Sequence, residues 1–182
     1  MQKFLRKNWI HIVLWGGMFL YLTFAQGLYV HFFLKYGKPA LVSTQLPVES
    51  AQIKGYVDLF EPIVYKGESL YSLVGWAFST ENPMMRPEDY DRQVILISTQ
   101  KNYYFPMEAY PRPDVQLAFQ SLGMELTNAG YHANISQEAI DPGVYQVGFV
   151  FRNPRDGSIY YTSITKYLII TPNHIQISDT LD

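Results

Sequence analysis

The 182-residue chain contains no cysteine, and only 16% of its residues are charged. Without cysteine it can form no disulfide, thiolate zinc site, cysteine-ligated iron–sulfur cluster or c-type haem attachment, and it has no cysteine nucleophile. Its formal net charge of −2 excludes a generally basic nucleic-acid-binding protein. All 16 acidic residues lie within 49–182, whereas five of the 14 basic residues come earlier, so the later part has a net charge of −7. The chain therefore has two unlike parts.

Residues 9–33 are an apolar run without Asp, Glu, Lys or Arg. As a helix, this run of 25 residues would extend about 37 Å, enough to cross a hydrocarbon core about 30 Å thick. Because the run exceeds the roughly 7–15 apolar residues of a signal peptide, we predict an uncleaved anchor, with a cleaved signal as the alternative. The basic flanks favour a cytoplasmic N-terminus. We therefore predict a cytoplasmic tail and transmembrane helix over 1–36 and a C-terminal domain in the periplasm or outside the cell.

Small residues in the predicted transmembrane helix favour close packing against another membrane protein. This candidate helix-packing set comprises Gly16, Gly17, Thr23 and Gly27. Thr23 and Gly27 are four residues apart and so share one helix face. His11 and His31 are too far apart along a helix to bind one metal ion. We interpret these histidines as interfacial residues, with haem or chlorin ligation as the alternative.

The remainder of the chain has the pattern of a mainly β domain. Residues 37–52 contain two prolines and no periodicity, so we predict a linker there. Over 53–182, apolar runs separated by turn signals predict an immunoglobulin-like antiparallel β-sandwich. The predicted strands are Ile53–Phe60, Ser69–Phe78, Gln93–Ser98, Asn102–Phe105, His132–Ile135, Val144–Phe151 and Ile159–Ile170. One short helix is predicted with Asp114 as its N-cap and Gly123 just beyond its C-terminus.

Five motifs between about residues 70 and 170 resemble a known type of module. They are GWAF at Gly75–Phe78, VILIS at Val94–Ser98, RPDV at Arg112–Val115, AGYHANI at Ala129–Ile135 and PGVYQVGF at Pro142–Phe149. The series resembles extracytoplasmic β-sandwich modules of bacterial proteins, often attached to membrane enzymes of cell-surface glycan assembly. The resemblance implies a structural module with a glycan-related role. The layout of one span and one sandwich is also similar to accessory subunits of respiratory or photosynthetic complexes such as alternative complex III, which implies a partner in electron transport.

Groups suited to catalysis or metal binding are few in the predicted domain. Its two histidines, His132 and His174, lie outside any nucleophile motif such as GxSxG. The acidic segment 88–91 offers carboxylates for calcium but matches no full EF-hand loop, so a solvated acidic loop is favoured. Asn134 begins a glycosylation sequon, Asn-Ile-Ser. We predict that the chain is not an enzyme and holds no metal or cofactor.

Aromatic residues near several prolines are candidates for a contact with a protein or a glycan. This set comprises Tyr103, Tyr104, Phe105 and Tyr110. Exposed aromatics are enriched at protein interfaces, whereas alternate residues of a strand belong to the core. From the span and the absence of a catalytic motif, we predict an accessory subunit, anchored in the lipid bilayer, that docks on and stabilises a larger membrane protein complex. The alternative is a glycan-binding or glycan-assembly helper module.

Overall fold

The computed structural model describes residues 37–65 and 68–180. Within the chain, Gly37–Asp182 forms one compact unit. The predicted transmembrane helix lies outside the described residues, and so do its candidate packing residues Gly16, Gly17, Thr23 and Gly27 and the histidines at positions 11 and 31. Among the residues that the structure describes, no helix is both long enough and apolar enough to cross a membrane.

Strands make up most of the described chain. They are β1 (Leu41–Ser43), β2 (Val48–Glu49), β3 (Ile53–Tyr65), β4 (Glu68–Ser79), β5 (Asp91–Ile97), β6 (Asn102–Pro106), β7 (Glu108–Tyr110), β8 (Gly130–Ser136), β9 (Gly143–Arg152), β10 (Ile159–Thr171) and β11 (His174–Ser178). Helix α1 spans Pro113–Ala118, and short 3₁₀ turns occur at Pro87–Asp89, Gln120–Leu122 and Gln137–Ala139. The prediction of a mainly β domain with one short helix is confirmed.

The strands form two sheets. The larger sheet has the order β1-β6-β5-β9-β10-β11, with β2 lying parallel to the first part of β10. The smaller sheet has the order β3-β4-β8-β7, and all its pairs are antiparallel. All seven predicted strands are present. Strands β1, β2, β7 and β11 were not predicted: the first three have three residues or fewer, and β11 follows the last predicted strand although its isoleucines, Ile175 and Ile177, do alternate with polar residues.

The two sheets enclose one apolar core. Val94 and Phe149 of the larger sheet and Leu73 and Tyr131 of the smaller sheet are fully buried. The rings of Tyr131 and Phe149 meet edge to face, with their centroids 5.4 Å apart. Successive side chains of a strand point to opposite faces, so the alternate apolar residues of these strands supply the inward faces. The observed architecture is therefore sandwich-like.

A buried arginine bridges the two sheets at the end of the domain where β4 ends. Arg92 of β5 is 6% exposed and donates from Nη1 to the carbonyl oxygen of Ala77 at 3.1 Å. Its guanidinium also donates to the carbonyl oxygens of Asn128 at 3.2 Å and Ala129 at 3.4 Å. Burial lowers the pKa of Arg92 to about 10, and the negative charge of Glu88 opposes this effect. The side chain thus joins β5 to the smaller sheet through backbone carbonyls.

The segment predicted as a linker carries two strands of the larger sheet. The backbone N–H of Ala40 donates to the carbonyl oxygen of Tyr104, and β1 pairs with β6 beyond it. The Tyr104 hydroxyl donates to the carbonyl oxygen of Gln45 at 3.0 Å, and Val48 then pairs with Tyr160. Residues 37–52 are therefore part of the domain, because their backbone groups bond to two different strands of the sheet. We call residues 41–48 the strap.

The region around α1 is helical as predicted, but its N-terminus and its packing differ from the prediction. Arg112 is the N-cap, Pro113 follows it, and Asp114 lies in the first turn without capping the helix. The apolar side of this region packs on the outer face of the smaller sheet, where Phe119 contacts Trp76. Gly123 ends the following 3₁₀ turn with a φ of 66°, a left-handed conformation that glycine adopts without a steric cost.

Candidate interaction surface

Three of the four aromatic residues predicted as a contact surface are buried. Tyr103 is 4% exposed, Tyr104 is 3% exposed and Phe105 is fully buried, while Tyr110 is only partly exposed. Tyr103 and Phe105 point into the core between the sheets. These three rings therefore do not form an exposed aromatic platform: the face of β6 that carries Tyr103 and Phe105 lies in the core, and the strap covers the face that carries Tyr104.

Tyr104 is buried on the opposite face of β6. It forms a small outer cluster with Ile95 and Val150, both of which are also buried. Because the Tyr104 hydroxyl bonds to the main chain of Gln45, the strap passes over this ring. Burial raises the pKa of the Tyr104 phenol. The strap therefore lies over the Tyr104 ring, and this ring is not itself presented to a partner.

The strap presents apolar side chains to the outside of the domain. The exposed fractions are 49% for Leu41, 48% for Val42, 41% for Leu46 and 65% for Val48. Residues 39–48 include no charged side chain, although the part of the chain after Val48 is acidic overall. Depletion of charge together with apolar exposure is typical of the core of a protein interface. Strap residues 41–48 are therefore the candidate interaction surface of the described domain.

A cleft of about 330 Å³ opens at the end of the domain where the chain enters it, beside Ser136. Its lining combines Ile140, Ile170 and two prolines with the polar side chains of Gln137 and Glu138. The Gln137 amide donates to the carbonyl oxygen of Thr171 at 2.8 Å. The cleft has the size and the mixed polarity to admit a small polar ligand.

The acidic segment 88–91 is neutralised by arginines. Arg86 forms ion pairs with Glu88 at 3.5 Å and Asp89 at 3.2 Å, and Asp91 lies 3.9 Å from Arg152. The backbone and side-chain hydrogen bonds from Arg86 hold the pKa of Asp89 below its usual value. Over residues 37–65 and 68–180, no three side chains of His, Asp or Glu are grouped so that they could hold a metal ion. The carboxylates of this segment thus act as partners of arginine.

The two histidines of the domain lie on different sheets. His132 of β8 is 3.5 Å from Glu108 of the neighbouring strand β7. His174 begins β11 at the edge of the larger sheet, and its carbonyl oxygen accepts a hydrogen bond from the Thr171 hydroxyl. Asn134 of the sequon is only 8% exposed. The environment of this asparagine does not favour glycosylation, because its amide is not presented to solvent.

The RPDV motif forms a local ion-pair network. The Arg112 guanidinium donates to both carboxylate oxygens of Asp114, at 2.8 and 2.6 Å, and also to Asp58. Asp58 lies where the register of β3 shifts against β4, between Val57 and Leu59. The hydrogen bonds from Arg112 lower the pKa of Asp114 to about 2. The motif therefore ties the start of α1 to an irregular point of β3.

Comparison with known proteins gives no relative for this chain. No family model matches it. No curated protein and no solved structure matches it either. The structural role of the five motifs named above therefore follows from the contacts that their residues make in this structure. The ion pairs of Arg112 in the RPDV motif are one example.

Proposed function

We propose that this protein is a single-pass membrane accessory subunit that docks on, and stabilises, a larger membrane protein complex. The observation that carries this proposal is the apolar strap, an uncharged surface that begins eight residues after Phe33, the end of the apolar run. A partner's extracytoplasmic part would cover Leu41, Val42, Leu46 and Val48, while the predicted helix would pack through its small residues. A partner complex in electron transport is the class suggested by the layout of span and sandwich.

The proposed fold of the domain is immunoglobulin-like. The smaller sheet, β3-β4-β8-β7, corresponds to the strand order A-B-E-D, and β6-β5-β9-β10 corresponds to C′-C-F-G. The Tyr145 hydroxyl, near the start of β9, donates to the carbonyl oxygen of Asp141 four residues earlier at 2.8 Å. This bond has the form of the tyrosine corner of such domains. Immunoglobulin-like sandwiches serve many functions, so the docking role proposed here rests on the strap and not on the fold.

The deciding experiment is extraction of the native membranes in mild detergent, followed by native gel separation and mass spectrometry. We expect the chain to migrate with stoichiometric membrane partners. The double variant Leu46→Glu/Val48→Glu should release it, because burying two carboxylates against a partner is costly. Met84→Glu is the matched control, since Met84 is 85% exposed and lies outside the strap. A wild-type band near the mass of a monomer would contradict the proposal.

The helix contact is tested separately. Replacing Gly27 with Leu should weaken co-purification with the partner, because a large side chain prevents close approach of two helices. Substitution of Leu20 by Ile, which leaves the small residues in place, is the control. Unchanged association of Gly27→Leu would remove this helix face from the proposal.

A glycan ligand is the second candidate, and the observation in its favour is the cleft at the entry of the chain. Gln137 and Glu138 supply donor and acceptor groups of the kind that sugars need, within a volume of about 330 Å³. A glycan array probed with the purified protein should then give signals that Glu138→Ala abolishes. An array without signals would eliminate this candidate.

A further inference from the structure

Three residues, Gly37, Leu70 and Ser136, mark the point at which the chain enters the described domain. Gly37 has a φ of 72°, and its carbonyl oxygen accepts a hydrogen bond from the backbone N–H of Ser136 at 2.7 Å. A Cβ atom on Gly37 would lie 2.8 Å from Leu70, which pairs with Ser136 across β4 and β8. The entry end of the domain is therefore the end marked by Gly37, Leu70 and Ser136.

At this entry end of the domain, the hairpin of β3 and β4 extends beyond the pair of Leu70 and Ser136. Ile63 pairs with Leu70, and the pairs Val64–Ser69 and Tyr65–Glu68 follow it toward the turn. Gly37 lies beside β8, which pairs with β4, and β4 pairs with β3. Three strand spacings of about 4.8 Å therefore separate Gly37 from Val64, which is about 15 Å. The last residues of β3 thus lie near the point of entry and project beyond it.

The end of β3 is apolar and accessible. Val64 is 77% exposed, and Ile63 and Tyr65 are partly exposed. An aliphatic group beside a tyrosine is a combination suited to the boundary between lipid and water, where tyrosine rings are enriched. In the sequence, Lys66 and Glu68 carry opposite charges beside this apolar group, so their charges cancel and a zwitterionic lipid surface is a suitable probe.

We propose that the end of β3, residues 63–65, rests in the headgroup region of the lipid bilayer that holds the predicted span. This inference rests on the proposed function, because it requires the anchor. Only three residues, 34–36, separate Phe33, the end of the apolar run, from Gly37. Four residue steps would therefore place the bilayer core within about 14 Å of Gly37. The headgroup region adds about 5–7 Å on that side. The exposed apolar residues at the end of β3 lie at this same end of the domain.

The test uses the absence of cysteine from the chain. The full-length variants Val64→Cys, Met84→Cys and Leu20→Cys each carry one nitroxide label in vesicles of phosphatidylcholine. Met84 is the matched control, since it is 85% exposed and follows the opposite end of β4. The measurement is the ratio of the label's accessibility to oxygen, which prefers lipid, and to a water-soluble nickel chelate.

We expect a ratio at position 64 that is several-fold higher than at position 84 and lower than at position 20. A position-64 ratio equal to that at position 84, with a lipid value at position 20, would overturn the inference but leave the anchor intact. Low accessibility to both reagents at position 64 would also overturn it, because a protein contact would then cover Val64. A water-exposed label at position 20 would overturn both the inference and the proposed anchor.

Discussion

Replacing Arg92 with methionine should measure how strongly its guanidinium holds the two sheets together. Methionine keeps an unbranched apolar stem but removes all three hydrogen bonds to the carbonyl oxygens of Ala77, Asn128 and Ala129. The Ala129 carbonyl keeps another donor, the backbone N–H of Ala77 at 2.9 Å. The carbonyl oxygens of Ala77 and Asn128 lose their hydrogen bonds to the guanidinium in this variant. Loss of a partner by a buried carbonyl is unfavourable.

Two opposing effects set the expected magnitude. Hydrogen bonds from a charged donor contribute about 1.5 kcal/mol each at the low end of their range, which suits lengths of 3.1 to 3.4 Å, so three contribute about 4–5 kcal/mol. Burial lowers the pKa of Arg92 from 12.5 to about 10, which opposes the charged form by about 3 kcal/mol. The difference predicts that Arg92→Met lowers the free energy of unfolding by about 1–2 kcal/mol. Arg92→Ala also removes the buried methylene stem and leaves a cavity, so it should cost about 4 kcal/mol.

The assay is denaturant unfolding of the purified protein in mild detergent, followed by near-ultraviolet circular dichroism. Arg155→Met is the control, because Arg155 lies in an exposed turn and its change should stay within about 0.5 kcal/mol. Stability of Arg92→Met equal to or above that of the wild type would refute the reasoning. The guanidinium bonds would then not exceed the cost of burying the charge.

Three further substitutions test the strap, the entry point and the ion pair. Tyr104→Phe should lower the free energy of unfolding by about 1 kcal/mol and speed amide hydrogen exchange over residues 41–48, because the bond to Gln45 is lost. Unchanged exchange would show that this bond does not hold the strap. Gly37→Ala should lower the thermal midpoint more than Gly157→Ala, since both have positive φ but only Gly37 is crowded; equal shifts would contradict this. The pKa of Asp114, lowered from 3.8 to about 2, gives stability that is present above pH 3.8 and lost as the pH falls toward 2. Asp114→Asn should therefore lose less stability between pH 5 and pH 2 in acid titrations, and an unchanged loss would count against the pair.

Much of the domain could be predicted from its apolar pattern. The run Val94–Ile97 is apolar throughout and lies in the interior of the larger sheet, between β6 and β9. The turn before Val144 and the turn before Ile159 separate strands as expected, because proline and glycine interrupt regular pairing. These features depend on neighbours in the sequence, so the sequence determined them.

The candidate surface depended on contacts between distant residues. The sequence contains the same alternation at Tyr103, Tyr104 and Phe105 whether the two faces of β6 are covered or exposed. The packing of the two sheets buries Tyr103 and Phe105, and the strap buries Tyr104 on the opposite face. The acceptors of Arg92 likewise come from a strand and a loop at least 15 residues away in the chain. The alternation of apolar and polar residues along single strands was thus determined by the sequence alone, because this pattern repeats every two residues and depends only on neighbouring positions. Which apolar side chains stay exposed was decided only by the tertiary structure, because burial depends on which segments pack over each face of a strand.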